Sequence, residues 1–195
     1  MHIQISKSSK KNILEIGAGT LNHIKFEKKY LFYDIVEPMP FLYKDSQYLK
    51  DINNIYKSSK DIPNNILYDN IISIAVLEHI TDLPSELVRL SKKLNDKGVM
   101  QISIPTEGSF LWYCSWRFVT GISFYLKYKL DYKPFMKYEH VNNSKEIEIL
   151  IRYLFKNVKI IRFPFNIFHF SFYTYIEASE INFDSLKVLE KLLDE

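Results

Sequence analysis

The sequence predicts an α/β protein built on a largely parallel sheet, and three stretches carry that prediction. Asp69 to Val76 (DNIISIAV) is a near-continuous apolar, β-branched run, the pattern of a strand covered on both faces. A helical stretch with Leu83, Leu87, Leu90 and Leu94 on one face follows it, and then a second strand, Val99 to Ile104. That strand–helix–strand order implies a right-handed crossover between parallel neighbours. Near the start, Asn12 to Thr20 reads as a short buried strand (Ile13, Leu14, Ile16) that stops in a glycine turn, Gly17-Ala18-Gly19. Glycine at those two positions lets the backbone turn tightly and leaves amides bare where a Cβ would block a ligand.

The remaining elements follow in order. Residues 1–11 read as a polar, Lys/Ser-rich lead-in, and Thr20 to Lys29 has room only for a brief helix. Tyr30 to Glu37 (YLFYDIVE) is the second strand, ended by Pro38, which withdraws a backbone donor. Phe41 to Leu49 is expected to be helical, Ile52 to Tyr56 a short strand, and 57–65 a loop by composition. Thr81 or Asp82 is placed to cap the Leu83 helix, with Pro84 tolerated in its first turn. Asp96-Lys97-Gly98 is a turn before the Val99 strand, which Pro105 stops. Ser144 or Asn143 is placed to cap a helix whose face is Ile147, Leu150, Ile151, Leu154 and Phe155. Val158 to Phe163 and Phe170 to Glu177 are strands, the second alternating at Phe170, Phe172, Thr174 and Ile176. Leu186, Leu189, Leu192 and Leu193 give a last short helix that packs back.

Composition narrows the function classes. At 195 residues the chain is long enough for one domain with a proper core. The net charge of +3 is mild and the lysines are interleaved with acids, so no basic stripe points to nucleic acid. The single cysteine, Cys114, excludes an internal disulfide and any Cys-bound iron–sulfur cluster. No His/Asp/Glu grouping has metal-ligand spacing, so no metal is expected. The amino terminus lacks the apolar core of a signal peptide, and no uninterrupted apolar run is long enough to span a membrane, so a cytoplasmic location is the expectation.

Three motifs together resemble the class I S-adenosylmethionine-dependent methyltransferases. LEIGAGT (Leu14 to Thr20) is similar to that superfamily's first motif. YDNIISIAVLEHITDLP (Tyr68 to Pro84) resembles the fourth strand and following loop of its type 11 group. LNDKGVMQISIP (Leu94 to Pro105) occupies the place of the turn and fifth strand. The resemblance implies a single Rossmann-like domain over residues 1–195. Its seven-stranded sheet would have the order 3-2-1-4-5-7-6, the last strand antiparallel, with helices on both faces. The cofactor half would be about 12–107, an acceptor lid about 108–140 after strand 5, and the carboxyl-terminal part 141–195. A dinucleotide fingerprint would need a third glycine, but Asn22, His23 and Ile24 follow Gly19, which disfavours a nicotinamide-dependent oxidoreductase. A non-catalytic binding module on the same fold is the other alternative.

The resemblance implies S-adenosylmethionine as cofactor and the residues that hold it. Glu15, Gly17, Ala18 and Gly19 would meet its amino-acid end, and Ala75 and Leu77 would line it from the fourth strand's loop. Glu37, twenty positions after Gly17, has the spacing of an acid that accepts from ribose hydroxyls, with Asp34 as its rival. Several residues before Ile62-Pro63, where the resemblance would place an acid that binds adenine, Ser58 and Ser59 stand instead, and Ser59 is the cofactor-side candidate. His79 and His140 are the candidate general bases, because an imidazole titrates near neutrality. Glu107, just past the fifth strand, also faces the expected acceptor side. Residues 108–135 hold both tryptophans. They read as a lid with Trp112, Tyr113 and Trp116 as a stacking platform, as core or dimer contact, or as a peripheral membrane-surface contact through 108–130 helped by Arg117, Lys127 and Lys129. The expected acceptor is a hydroxyl or amine of a small-molecule or glycan-linked compound.

Overall fold

The structure is a computed structural model that describes residues 1–7 and 11–194. Strand β1 (Asn12–Ile16) turns Leu14 and Ile16 to one side and Ile13 and Glu15 to the other, and all but its first residue is buried. It pairs in parallel with β2 (Phe32–Val36) and with β4 (Tyr68–Ile74), so it lies inside the sheet. β3 (Ile55–Tyr56) extends the β2 edge. On the other side β4 pairs in parallel with β5 (Leu94–Pro105), which pairs antiparallel with β7 (Ser171–Ile181). β6 (Phe155–Pro164) closes that edge, antiparallel to β7. The order is β3-β2-β1-β4-β5-β7-β6, as the resemblance implied.

Successive strand residues point to opposite faces, and two separate cores result. One face gathers Leu14, Ile16, Ile71, Met100, Ile102 and Ile176 under three helices, α3 (Leu83–Ser91), α7 (Ser144–Leu154) and α8 (Phe183–Asp194). Asp82 caps α3, and Asn143 caps α7 through a capping box with Glu146. The opposite face gathers Ile13, Ile35, Ile72, Tyr33 and Tyr175 under lighter cover. That cover is α1 (His2–Ile5), a 3-10 turn at Ile24–Phe26 and the neighbourhood of α2 (Pro40–Tyr43).

Several elements differ from expectation for identifiable reasons. The lead-in is not merely polar: α1 drops Ile5, wholly buried, into the second core, and the Gln101 amide donates to its carbonyl. The helix expected over Phe41–Leu49 is only α2 and a 3-10 turn at Leu49–Asp51, and the strand after it is limited to β3. Asp96-Lys97-Gly98 forms an irregularity within β5, where Tyr68 faces Leu94 but Asn70 faces Val99. Phe155 opens β6 instead of closing a helix, because the α7 face is already complete at Leu154. β7 is buried on both faces in its middle, at Thr174, Tyr175 and Ile176, because Ile176 enters one core and Tyr175 the other. On α8 Leu186 is buried and Leu189 partly so, while Leu192 and Leu193 stay exposed.

Residues 108–140 are a helical excursion between β5 and α7. It runs through α4 (Phe110–Cys114), a π turn at Ser115–Thr120, α5 (Gly121–Tyr128) and α6 (Lys133–Glu139). Ser109 anchors its start, accepting from the Trp112 amide and donating to the Ser171 carbonyl.

Replacing Ile5 by Ala is expected to lower stability by about 2–4 kcal/mol, the range for emptying a core position. Urea denaturation measures it, and an unchanged midpoint would mean that α1 is not part of the core.

Candidate active site

β1 leads toward β2 on one side and β4 leads toward β5 on the other, so the switch point of the sheet lies at their carboxyl ends, where open α/β sheets bind ligands. Both ends reverse through left-handed backbone: Gly17 at φ +66, Gly19 at φ +54 and Ala75 at φ +55. The Gly17 amide donates to the Val36 carbonyl at 2.8 Å and the Ala75 amide to the Ser103 carbonyl at 2.7 Å. A Cβ at Gly17 would lie 2.4 and 2.8 Å from the two Val76 methyl groups. Gly17 therefore makes room for the neighbouring loop, whose Val76 packs against its α-carbon. At Gly19 a Cβ would meet nothing within 4 Å, so that glycine faces open space.

The two rival acids are held at different places. Glu37 lies at the glycine turn, with Oε2 accepting from the Gly19 amide at 2.9 Å and Oε1 from the Met39 amide at 3.0 Å. Asp34 accepts from the backbone and side-chain nitrogens of Asn54, each at 3.0 Å, and from the Tyr68 hydroxyl at 2.8 Å. It lines a separate cavity with Asn12, Phe32 and Tyr68, where β1, β2 and β4 begin. Glu15 is buried below the turn and accepts from the Tyr33 hydroxyl at 2.7 Å; burial pushes its carboxyl up to about 7. Ser59 is buried with its hydroxyl donating to Glu86 at 2.7 Å and accepting from Arg89, both on α3, so its side chain faces that helix. Ala18 and Leu77 are buried, and the Leu77 carbonyl accepts from the Asn142 amide group at 3.0 Å.

On the other side of the switch point is a cavity of about 520 Å³. Ala75, Glu78, His79, Pro105, Trp112, Trp116, Tyr132 and His140 are among the residues that line it. His79 and His140 are far apart in sequence, and backbone bonds join their loops. The Val141 and Asn142 amides both donate to the Glu78 carbonyl, at 2.9 and 3.1 Å, and the Asn142 side chain donates to the Leu77 and Ile80 carbonyls. The two imidazoles meet edge to face, with centroids 4.7 Å apart. His79 Nδ1 donates to the Glu139 carbonyl at 2.7 Å, and because a carbonyl only accepts, the lone pair of the neutral ring is on Nε2. His140 Nδ1 contacts the Glu107 carboxylate, which fixes the same tautomer. Burial and the neighbouring His79 push the His140 imidazole down to about 4, so that ring is neutral at pH 7.

A family model described as "Methyltransferase domain" matches residues 4–154. The chain belongs to this methyltransferase family. The family's cofactor is S-adenosylmethionine. Solved structures share the fold at low identity. A methyltransferase from Thermotoga maritima, described as a possible histamine N-methyltransferase, is 15% identical, with a TM-score of 0.64 over 92% of this chain and 87% of that one. The N-methyltransferase NodS from Bradyrhizobium japonicum is 14% identical, with a TM-score of 0.61 over 92% and 82%. The plantazolicin methyltransferase BpumL is 15% identical, with a TM-score of 0.64 over 92% and 79%. No curated protein matches the sequence.

Sequence reasoning placed both histidines of this methyltransferase and passed over the side chain of Glu78. That carboxylate is buried in the cavity wall, and its Oε2 meets no hydrogen-bond donor. The available signal was an acid beside His79 just past a largely apolar strand. What the sequence did not show was that the loop would fold the acid inward.

Glu15 generates a pH prediction. Its folded carboxyl titrates near 7, above the ordinary 4.5 of a glutamate, so the folded state holds the extra proton between those values. Its contribution to stability is therefore full below about 4.5 and is lost as pH rises through about 7. Glu15→Gln keeps an acceptor for Tyr33 and removes the charge. The variant should match the parent at pH 4.5 and exceed it by on the order of 1–3 kcal/mol at pH 8 in urea melts. Equal stability at pH 8 would show that Glu15 is not buried in the solution state.

Proposed function

We propose that this protein transfers a methyl group from S-adenosylmethionine to a hydroxyl or amine of a small-molecule or glycan-linked acceptor. The observation that carries this reading is the pair of imidazoles, each with Nδ1 engaged and Nε2 carrying a lone pair, in the wall of a cavity that shares Ala75 with the switch point.

The glycine turn fits the cofactor. Gly19 opens onto free space, and Glu37 is held at the tip of β2 by two amides, as an acid that accepts from ribose hydroxyls must be. Gly17, Ala18 and Gly19 would take the amino-acid end, with the buried Glu15 behind the turn; Ala75 and Leu77 would flank it, and Ser59 would contribute through its backbone. Bound there, S-adenosylmethionine supplies a methyl group already activated by its sulfonium. The protein must then align the acceptor, exclude water and remove a proton. Trp112, Trp116 and Tyr132 exclude water. His79 takes the proton-acceptor role, because burial pushes the His140 imidazole down and the His79 side chain is 43% exposed, which lets the proton leave to solvent. His140, braced by Glu107, orients the acceptor.

Calorimetry with S-adenosylhomocysteine, followed by transfer of labelled methyl from S-adenosylmethionine to acceptor panels, tests the reading. His79→Asn should lower kcat by about 10²–10⁴-fold, the usual contribution of a general base, with S-adenosylhomocysteine affinity unchanged. Unaltered kcat would remove His79 from the proton path. Strong NAD binding with no response to either sulfur compound would overturn the assignment.

A further inference from the structure

Glu78 uses its backbone and leaves its side chain unspent. The carbonyl holds Val141 and Asn142, but the carboxylate, only 3% exposed, has Oε1 4.0 Å from His79 Nε2 and Oε2 without a donor. Across the same cavity Trp116 Nε1 is buried without an acceptor. Unpaired buried polar atoms are uncommon in folded proteins and call for a partner. Here one is an anion and the other a neutral donor, so the missing partner carries a cationic donor and an acceptor oxygen. The rings around them, Trp112, Tyr132, Phe172 and Tyr173, suit a cation that must shed water.

We propose that Glu78 receives the protonated amine of the acceptor and that Trp116 donates to an oxygen on the same molecule, so that the acceptors of this enzyme are amines. This rests on the methyltransferase reading and deepens it. An ammonium has no lone pair and cannot attack. Transfer of one N–H proton to Glu78 Oε2 leaves a neutral amine with its lone pair free and a neutral carboxyl, which passes the proton to His79 Nε2 and solvent. Burial raises the Glu78 carboxyl to about 7, which suits a group that both holds a cation and takes its proton near neutrality.

The test uses matched pairs that differ only in an amine against a hydroxyl: tyramine with tyrosol, and glucosamine with glucose. Each is titrated calorimetrically into the protein after S-adenosylhomocysteine. At least one amine should bind ten times more tightly than its alcohol, and Glu78→Gln should bring the two within about twofold. The wild-type comparison needs no variant, so a misfolded Glu78→Gln does not block it. If S-adenosylhomocysteine itself does not bind, the methyltransferase reading fails. If it binds and no amine exceeds its alcohol, or Glu78→Gln leaves the preference intact, the amine assignment fails.

A different observation carries a second inference. The outer side of the 110–130 segment is apolar and exposed at Phe118, Val119, Ile122, Tyr125, Leu126 and Leu130, away from the cavity that Trp112 and Trp116 line. Its only charges are Arg117, Lys127 and Lys129, with no acid between Ser109 and Leu130. The Lys127 and Lys129 ammonium groups lie over the Tyr128 and Tyr125 rings, at 5.0 and 5.6 Å. Exposed aromatic and aliphatic groups rimmed by cations alone match an interface of apolar chains beneath anionic headgroups. We infer that this segment seats the protein on an anionic lipid surface. No helix among the described residues is long and apolar enough to cross a membrane, so the contact is peripheral. Sedimentation with vesicles of phosphatidylcholine, with and without 30% phosphatidylserine, tests it. The charged vesicles should capture the protein at least tenfold better, with capture falling as salt rises, and Ile122→Glu with Leu126→Glu should abolish it. No capture, or capture indifferent to lipid charge, overturns the inference. So does a dimer in equilibrium sedimentation that Ile122→Glu dissociates, because the face would then belong to a second copy.

Discussion

The two central strands of the sheet turn apart only because Gly17 has no side chain. Its α-carbon faces the methyl groups of Val76, and a Cβ would lie 2.4 Å from one of them. The loops leaving β1 and β4 can thus pack together while the chain goes to opposite sides of the sheet. That close approach sets the rest of the site. It aims Gly19 into open space, puts its amide on Glu37, and leaves Ala75 in a left-handed conformation as the shared wall between the glycine turn and the cavity. Positive φ at an alanine is uncommon and costs roughly 1–2 kcal/mol. The β5 carbonyl that accepts its amide helps to hold it there.

The second organising contact is a single carbonyl. Glu78 accepts two amides from the segment that follows α6, and this places His140 against His79. One residue thus joins that segment to the β4 loop through its backbone while its carboxylate stays in the cavity. The site has a buried acid on each side of the switch point, Glu15 with a hydroxyl partner and Glu78 with a bare oxygen. The difference is chemical. The first acid is satisfied within the protein, and the second is completed only by something that enters.

The sheet was readable because its strands are short apolar runs with hard stops at Gly17, Pro38 and Pro105, and because its helices carry capping residues at Asp82 and Asn143. The histidines were readable as residues but not as a pair. Their meeting depends on Asn142 and Glu78 joining loops about sixty residues apart, and no local pattern encodes that contact. Spacing favoured Glu37 over Asp34, but strand ends read from sequence are uncertain by a few residues, so Asp34 stayed a rival. The register separates them: Asp34 pairs opposite Leu14 inside the sheet, while Glu37 lies past the last pair, Ile16 with Val36. Ser59 looked free beside Ile62-Pro63, yet its hydroxyl is bound by α3, an element twenty-seven residues on. Ile5 was hidden because the few apolar residues of the lead-in, Met1, Ile3 and Ile5, run directly into the Lys/Ser-rich stretch that follows.

A crystal structure with S-adenosylhomocysteine tests the central assignment most directly. The expected result places the ribose hydroxyls within hydrogen-bond distance of the Glu37 carboxylate and the sulfur facing the cavity between His79 and Trp112. A ligand seated at the opposite end of the strands, against Asp34 and Asn54, would contradict it.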